Sequence, residues 1–282
     1  MGVTAILFPG QGSQTPDMRE TVSEVRPELL SLVEQIVGED PFVRAEEGTR
    51  YAQPAIFCAS LAGWEALGRP EDGPGGGMMA GHSLGELAAL VAAGCLSEQD
   101  GLELVALRGT LMQESGERAG DGGMLALLGA GAADHAGELA QEHGLSVAND
   151  NSPQQVVLSG DRGAFAAASA AAKELGLRPM ELPVTGAFHS PMMAEAVPEF
   201  QAAVARVEIA TPRVTVLSAV TAAPFEDVRA QLAQALTMPV RWRETLLAMR
   251  ERGGARFVEV GPGRVLTGLV KRTLKDVELA HA

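Results

Sequence analysis

Aromatic residues are scarce in this 282-residue chain, in which two Trp, one Tyr and eight Phe make up only 4% of the total. A core must therefore be built mainly from Ala, Val, Leu and Met, and the 46% hydrophobic content is ordinary for a globular protein. No apolar run approaches the length that spans a bilayer, and there is no basic N-terminal segment followed by an apolar stretch and a cleavage site. We therefore expect a cytoplasmic protein without a membrane span.

Cysteine is almost absent. The two residues, Cys58 and Cys95, both lie in apolar stretches that favour helices. We predict buried free thiols rather than a disulfide.

Positive charge is also in short supply, since 22 basic residues face 36 acidic ones and leave a net charge of −14. This balance disfavours nucleic acid as the main partner. The basic residues cluster in segment 241–275, which holds nine of them and only three acidic residues. Two interpretations stay open for this basic segment: salt bridges to the acidic remainder, or a docking surface for an anionic partner.

The most informative stretch that is present is segment 81–85, Gly-His-Ser-Leu-Gly. It follows a short apolar run and precedes helix-forming residues, which is the order of a strand, a sharp turn and a helix. A serine on such a turn points its hydroxyl out of the sheet, and we expect the flanking glycines to let the backbone take the strained corner. At a helix N-terminus the free N–H groups also favour negative charge. The pattern predicts that Ser83 is a nucleophile for acyl transfer.

Alternating strand and helix patterns indicate an α/β fold. After a glycine-rich break at 120–123 the chain changes to short strands alternating with helices, which predicts a small α+β unit over 122–185. This unit is inserted into a larger domain formed by 1–121 and 186–282. Apolar periodicity predicts helices over 17–37, 97–118 and 192–207, and Gly and Pro predict a loop over 71–77.

A serine nucleophile needs a base, and the chain has five histidines. His82 is beside the serine and points elsewhere, His135 and His143 lie in a helix with acidic neighbours, and His281 is in the tail. That leaves His189, in a loop with Gly before it and Pro after it, as the predicted base. No Asp or Glu is an obvious third member, so a backbone carbonyl is the candidate that orients the imidazole.

The tetrahedral intermediate of acyl transfer needs two donors for its oxyanion. The N–H of Leu84 at the start of the helix is one candidate. The N–H of Gln11 is the other, because Gly10 and Gly12 leave it open to approach. The alternative for this second loop is a plain turn.

Arg108 lies on the apolar stripe of its predicted helix, since the residues three and four positions away are all apolar. An arginine there is costly unless it is paired with an anion. One interpretation is a structural ion pair with Glu86 or Glu114. The other is a fork for a substrate carboxylate, which guanidinium matches with two parallel hydrogen bonds.

Together these residues resemble the malonyl-CoA:acyl-carrier-protein transacylases and the related acyltransferase domains of polyketide synthases. The resemblance covers nearly the whole chain in order. It rests on Phe8-Pro9-Gly10-Gln11-Gly12-Ser13-Gln14, Gln53-Pro54-Ala55, Gly81-His82-Ser83-Leu84-Gly85-Glu86, Arg108-Gly109 with Met112-Gln113-Glu114, Asn151-Ser152-Pro153 with Gln155-Val156-Val157, Gly186-Ala187-Phe188-His189-Ser190, Pro239-Val240-Arg241-Trp242, and Glu259-Val260-Gly261-Pro262-Gly263 with Val265-Leu266.

The resemblance implies a hydrolase-like large domain with a parallel central sheet and an inserted ferredoxin-like subdomain, with the active site between them. It implies that Ser83 is the nucleophile, His189 the base, Gln11 and Leu84 the oxyanion donors, and Arg108 the clamp for a malonyl carboxylate.

Four further positions take roles from the same resemblance. The backbone carbonyl of Arg241 orients the catalytic histidine, Gln53 lines the pocket, and His82 belongs to the substrate-binding residues. The bulky Phe188 leaves no room for a methyl group on the malonyl carbon, which resembles the malonyl-selecting members.

The activity implied is transfer of a malonyl group from malonyl-CoA to the phosphopantetheine thiol of an acyl carrier protein, through an ester on Ser83. Such enzymes of fatty-acid or polyketide synthesis need no permanently bound cofactor or metal. Because the carrier is typically acidic, the basic segment is the candidate surface for docking it or the phosphates of coenzyme A. The alternative function is a thioester hydrolase that clears misacylated carriers, which the carboxylate fork disfavours. We expect a monomer.

Overall fold

The computed structural model describes residues 2–69 and 77–282, so the predicted loop over 71–77 lies outside the described residues except for Gly77. The strands are β1 (Val3–Phe8), β2 (Met78–Gly81), β3 (Gly122–Leu128), β4 (Ser146–Ser152), β5 (Gln155–Asp161), β6 (Arg178–Glu181), β7 (Thr215–Ser218), β8 (Ala223–Pro224), β9 (Gly254–Glu259) and β10 (Glu278–His281). The helices are α1 (Met18–Val25), α2 (Pro27–Val37), α3 (Thr49–Ala66), α4 (Gly85–Ala92), α5 (Glu98–Ala119), α6 (Ala132–Glu142), α7 (Phe165–Glu174), α8 (Val197–Val204), α9 (Val228–Gln234), α10 (Trp242–Glu251) and α11 (Val265–Thr273).

Six strands form the central sheet in the order β10-β9-β1-β2-β7-β8. All neighbours run parallel except β7 and β8. In the pairing of β1 with β2, Phe8 lies opposite Gly81. The loop after Phe8 and the turn after Gly81 therefore lie side by side at the carboxyl edge of the sheet, where open α/β folds place their ligands.

The central sheet is covered on both faces. Ile6 and Phe8 of β1 belong to a core formed with α3, α4 and α5, whereas Ala5 and Leu7 belong to a second core formed with α10 and α11. Successive side chains of a strand point to opposite faces, so a strand buried on both sides is apolar throughout. This is the physical reason for the unbroken apolar run at 5–8.

The four remaining strands form a separate antiparallel sheet in the order β4-β5-β3-β6. Helices α6 and α7 pack on one face of it, where their apolar side chains share a core with Leu125, Leu127 and Leu158. The succession β3-α6-β4-β5-α7-β6 with this strand order is ferredoxin-like. The predicted fold class, a parallel α/β domain with a small antiparallel subdomain, is confirmed, while the bounds 122 and 185 stay a prediction.

Strand β4 joins the small sheet to the large domain. The Asp150 N–H donates to the carbonyl of Val240 at 2.9 Å, and the Val240 N–H donates to the carbonyl of Ala148 at 2.8 Å. The carboxylate of Asp150 also accepts three hydrogen bonds from the guanidinium of Arg243, the shortest at 2.7 Å. The segment between α9 and α10 is therefore held by the small subdomain.

Two predicted helices are each broken where a proline enters. Residues 17–37 form α1 and α2, which are separated at Arg26, and Arg26 leaves the helical region with φ −141° and ψ 62° because Pro27 follows it. Residues 191–204 form a 3-10 helix (Pro191–Ala196) and then α8, which has Pro198 in its first turn. The prediction for 97–118 is confirmed, and Ser97 caps α5 by accepting from the Asp100 N–H at 3.0 Å.

Both cysteines are buried free thiols, as predicted. The expected helical setting is wrong for Cys95, which lies in the turn after α4. Within the described ranges, the helices are all too short or too polar to cross a membrane.

Candidate active site

The turn that carries Ser83 connects the end of β2 to the start of α4. Ser83 itself takes the left-handed conformation, with φ at +54°. The flanking glycines permit this corner without adopting it, because neither of them has a positive φ. They are needed for space: a Cβ on Gly81 would lie 1.9 Å from the carbonyl carbon of Gly85, and one on Gly85 would lie 2.2 Å from the carbonyl oxygen of Phe8.

Ser83 and His189 face each other, with 2.9 Å between the serine Oγ and the histidine Nε2. The other ring nitrogen, Nδ1, lies 2.8 Å from the carbonyl oxygen of Ala235 and 3.2 Å from that of Met238. A carbonyl only accepts, so Nδ1 carries the proton and Nε2 presents a lone pair. The Ser83 hydroxyl therefore donates to His189, which is the arrangement a general base requires.

Burial sets the protonation state of His189, which is 4% exposed. Loss of solvent, followed by the nearby charge of Arg108, lowers its pKa to about 3. The imidazole is therefore neutral at physiological pH and able to accept a proton.

The role that the resemblance implied for Arg241 is wrong. Its carbonyl accepts from the N–H and the hydroxyl of Thr245, both at 2.9 Å, because Arg241 is the N-cap residue of α10. The carbonyls that reach His189 belong to Ala235 and Met238, at the end of α9 and in the connection that follows it.

Arg108 lies on α5 with 3% of its surface exposed, and its guanidinium lies directly beside the Ser83 hydroxyl. Its Nη2 donates to the Oγ of Ser83 at 3.0 Å, and its Nη1 donates to the Oε1 of Gln53 at 2.9 Å. Burial lowers its pKa to about 10, so it stays a cation at physiological pH. Gly109 makes this approach to α3 possible, since a Cβ there would lie 2.8 Å from the carbonyl oxygen of Thr49.

The proposed ion pairs of Arg108 are not formed with either acidic candidate. Both Glu86 and Glu114 belong to the described part of the chain, and neither places a carboxylate oxygen within 4.0 Å of the guanidinium nitrogens. The buried Glu86 accepts instead from the Ala219 N–H at 2.7 Å and from the Ser218 hydroxyl at 3.1 Å. Burial raises the pKa of Glu86 to about 7. The cation beside Ser83 therefore has no direct anionic partner among the described residues.

Two backbone N–H groups in the cleft that contains Ser83 have no hydrogen-bond partner among the described residues. Those of Gln11 and Leu84 make no hydrogen bond to any other described residue, and both residues line the same cleft as Ser83. The pairing of β1 with β2 brings the loop that contains Gln11 against the turn that contains Leu84. Two free donors on adjacent loops are the groups that an oxyanion hole requires.

The site opens into a cleft of about 440 Å³ between the two sheets. Gln53, His82 and Phe188 all line it, as do residues of β4 and β5 from the small subdomain. The His82 ring donates from Nε2 to the Oδ1 of Asn151 at 2.7 Å and packs edge-on against Trp242. Burial lowers the pKa of His82, which disfavours a second cation beside Arg108.

The sequence can be compared with known proteins over almost its full length. The family model of the acyl transferase domain matches residues 6–282. The chain is 37% identical to the malonyl CoA-acyl carrier protein transacylase of Haemophilus influenzae, and the match covers 97% of this chain and 93% of that protein. The chain belongs to the acyl transferase family.

Two more proteins similar to this acyltransferase are named for polyketide synthesis, one matched by sequence and one by structure. It is 38% identical to the polyketide biosynthesis protein ThaF of Burkholderia thailandensis over 96% of its own length, and it spans 24% of that longer protein. Its structure matches the malonyl-transacylase solved in complex with its type II PKS acyl-carrier protein, with a TM-score of 0.88 and 32% identity, covering 99% of this chain and 96% of that one. The resemblance seen in the sequence motifs is therefore confirmed at the level of family and fold.

Several site residues of the acyltransferase carry no signal that the sequence alone reveals. Ala235 and Met238 act through backbone carbonyls, which any residue type supplies. Thr49 donates its hydroxyl proton to the Oε1 of Gln11 and accepts from Gln53 at 3.2 Å. Asn151 belongs to the motif Asn151-Ser152-Pro153, and nothing in that motif places it against His82.

The basic residues of this segment of the acyltransferase differ in whether they form ion pairs. Arg243 pairs with Asp150 and Arg256 with Glu278, which fits the first interpretation, of salt bridges to the acidic remainder. Arg241 pairs with Glu244 inside the segment. Lys271, Arg272 and Lys275, at and after the end of α11, are exposed and form no ion pair with other described residues. The Nη1 of Arg272 donates to the Oε1 of Gln155 at 3.2 Å, and Gln155 lines the cleft.

Proposed function

We propose that this acyltransferase moves a malonyl group from malonyl-CoA to the phosphopantetheine thiol of an acyl carrier protein, through a malonyl ester on Ser83. The observation that carries the proposal is the 3.0 Å hydrogen bond from the Arg108 guanidinium to the Ser83 hydroxyl. A buried cation without an acidic partner costs free energy that an anionic ligand recovers. A dicarboxylic half-thioester bound there offers its carboxylate to Arg108 and its thioester carbon to Ser83.

In the first half-reaction His189 acts as the base. The Ser83 Oγ attacks the thioester carbon while its proton passes to the Nε2 of His189, 2.9 Å away. The N–H groups of Gln11 and Leu84 bind the oxyanion of the tetrahedral intermediate. When the intermediate collapses, the carbon–sulfur bond breaks and coenzyme A leaves as a thiol with the proton from His189.

The second half-reaction uses the same groups in reverse. The carrier thiol gives its proton to His189 and attacks the carbonyl carbon of the malonyl ester. The carbon–oxygen bond then breaks, and Ser83 recovers its proton as the malonyl thioester of the carrier is released. Two half-reactions through one acyl-enzyme predict ping-pong kinetics.

Arg108 and Phe188 define the acyl group in this proposal. The two Nη atoms of Arg108 point to Ser83 and Gln53, so its fork is held beside the place where the acyl chain lies. Phe188 is 5% exposed and lines the cleft, and its ring blocks a substituent on the malonyl carbon. His82 lines the substrate cleft without taking part in proton transfer.

We also propose that the carrier docks at the unpaired part of the basic segment. Lys271, Arg272 and Lys275 form an exposed cationic group next to the cleft, and the α11 residues Val265 and Leu269 line the cleft itself. The double variant Lys271→Glu/Arg272→Glu should raise the KM for carrier several-fold and leave malonylation of Ser83 by malonyl-CoA unchanged. The matched control is Arg206→Glu, which reverses the charge of an exposed residue that does not line the cleft. An unchanged KM for carrier would remove this docking surface.

Every group of the proposed site comes from one chain, so the proposed reaction needs no residue of a second subunit, and we propose that the enzyme is a monomer. The bonds that form and break need a nucleophile, a base and oxyanion donors, so the proposed reaction uses malonyl-CoA and the carrier as substrates without a permanently bound cofactor. The proposed setting of both substrates is the cytoplasm.

The function is tested by a pulse of labelled malonyl-CoA followed by carrier. The proposal expects one malonyl group on the intact wild-type protein, none on Ser83→Ala, and transfer of the label to the carrier thiol. Rapid release of free malonate without carrier would instead identify a thioester hydrolase, and no labelled protein at all would exclude an acyl-enzyme.

A further inference from the structure

A continuous chain of hydrogen bonds connects Arg108 to the loop that contains Gln11. The Nη1 of Arg108 donates to the Oε1 of Gln53 at 2.9 Å. The Nε2 of Gln53 donates to the Oγ1 of Thr49 at 3.2 Å, and the Thr49 hydroxyl donates to the Oε1 of Gln11. The single hydroxyl of Thr49 is therefore the link between the cation and the loop that supplies an oxyanion donor.

The direction of every bond in this chain is fixed by chemistry. Arginine only donates, so the amide oxygen of Gln53 faces it and the amide nitrogen faces Thr49. The Thr49 oxygen must then accept, which leaves its one proton for Gln11. All donors point away from the guanidinium, and aligned hydrogen bonds polarise one another in the low dielectric of a protein interior.

The middle of the chain is buried and closely packed, so Thr49 and Gln53 cannot exchange partners with solvent, whereas Gln11 at its end is exposed. Thr49 is 2% exposed and Gln53 is 1% exposed. The only other partner of the Gln53 amide nitrogen among described residues is the Sδ of Met112 at 3.4 Å, a weak acceptor. The backbone of Thr49 lies against α5, because a Cβ on Gly109 would be 2.8 Å from its carbonyl oxygen. Thr49 is thus tied to the helix that carries Arg108 as well as to Gln11.

We propose that Thr49 is a positioning residue that couples recognition of the acyl carboxylate at Arg108 to the oxyanion donor of Gln11. This inference rests on the proposed function. A carboxylate bound by Arg108 holds the guanidinium, and with it Gln53 and Thr49, in the arrangement that fixes the side chain of Gln11. Fixing that side chain fixes the Gln11 backbone N–H beside Ser83. An acetyl group offers Arg108 no such restraint, so the coupling favours malonyl over acetyl.

The matched pair Thr49→Val and Thr49→Ser separates the hydroxyl from the shape of the side chain. Valine replaces the hydroxyl by a methyl group and leaves the Gln53 nitrogen and the Gln11 oxygen without their partner, whereas serine keeps the hydroxyl. The measurement is the single-turnover rate of Ser83 acylation from malonyl-CoA and from acetyl-CoA, followed by intact-protein mass. For Thr49→Val we expect the malonyl rate to fall about tenfold or more and the malonyl-to-acetyl ratio to fall with it. Thr49→Ser should keep the wild-type ratio.

An equal fall of both rates in Thr49→Val, or an unchanged ratio, would overturn the inference and leave Thr49 with a structural role. If Thr49→Val does not fold, Gln11→Met takes its place, because it removes the acceptor while keeping the backbone N–H. The ratio must fall in that variant, and an unchanged ratio would equally overturn the inference. Failure of the wild-type protein to take up malonyl would instead remove the proposed function, so the two failures are distinguishable.

Discussion

His189 and Ala235 are joined by a hydrogen bond of 2.8 Å that places the imidazole proton on Nδ1. A backbone carbonyl thereby does what a carboxylate does in a triad, and it does so without adding a negative charge. The imidazole sits beside the cation of Arg108 and away from solvent, which is why its pKa falls so far below the ordinary value.

The lowered pKa of His189 predicts the pH dependence of acylation. Burial, followed by the charge of Arg108, lowers this pKa from 6.5 to about 3, and the neutral form is the base. The kcat/KM for malonyl-CoA should therefore stay level as the pH falls from about 8 to about 5, since this parameter reports the free enzyme. A half-loss of kcat/KM near pH 6.5 would show that His189 titrates as an ordinary histidine.

The same shift predicts how stability changes with pH. The unfolded chain binds a proton on this histidine near pH 6.5, whereas the folded protein binds it only near pH 3. The contribution of His189 to stability is therefore full above pH 6.5 and is lost as the pH falls toward 3. Urea unfolding should show a larger loss of stability between neutral and mildly acidic pH for wild type than for His189→Gln. Identical slopes for the two proteins would contradict the assignment.

The turn at Ser83 predicts a strong asymmetry between two glycines. A Cβ on Gly85 would lie 2.2 Å from the carbonyl oxygen of Phe8, whereas a Cβ on Gly137 of α6 meets nothing within 4 Å. Gly85→Ala should lower the free energy of unfolding by about 3 kcal/mol or more, because backbone must move to accommodate it. Gly137→Ala should raise it by up to about 1 kcal/mol through helix propensity. Equal effects in thermal or urea unfolding would contradict the close contact.

The ion pair between Asp150 and Arg243 predicts that the small subdomain stabilises the segment between α9 and α10, whose carbonyls accept the hydrogen bonds of His189. The side chains of Asp150 and Arg243 are 17% and 32% exposed, and Asp150 accepts three hydrogen bonds from the guanidinium. Asp150→Asn should lower the free energy of unfolding by about 1 to 2 kcal/mol. In a double-mutant cycle with Arg243→Gln the two effects should not add. Additive effects in urea unfolding would mean that the pair contributes no coupling.

Local sequence patterns were sufficient to predict the strands, loops and helix that carry the site residues. The run ending at Phe8 and the run ending at Gly81 predict two buried strands, and the residues that follow each of them indicate loops at one edge of a sheet. The apolar stripe around Arg108 showed that the guanidinium is buried. These features depend on periodicity and on residues close together in the sequence.

Features that depend on tertiary contacts could not be predicted from local sequence patterns. The acceptor of the His189 proton is a backbone carbonyl, and its identity depends on where the connection after α9 lies, so the implied assignment to Arg241 was wrong. Strand β10 is short and lies at the edge of the sheet beside β9, where pairing rather than composition decides the structure. The partner of Thr49 is 38 positions away along the chain, and no local pattern indicates such a contact.

The central claim, that one buried cation and one alcohol act on the same dicarboxylic thioester, is tested most directly by Arg108→Ala. The measurement is the mass of the intact protein after exposure to malonyl-CoA or acetyl-CoA, with wild type and Ser83→Ala alongside. The account predicts that Arg108→Ala lowers the rate of Ser83 malonylation by about a hundredfold or more, because two charge-assisted hydrogen bonds to the substrate carboxylate are lost. Acetylation of Ser83 should stay the same or increase. Undiminished malonylation in Arg108→Ala would contradict it.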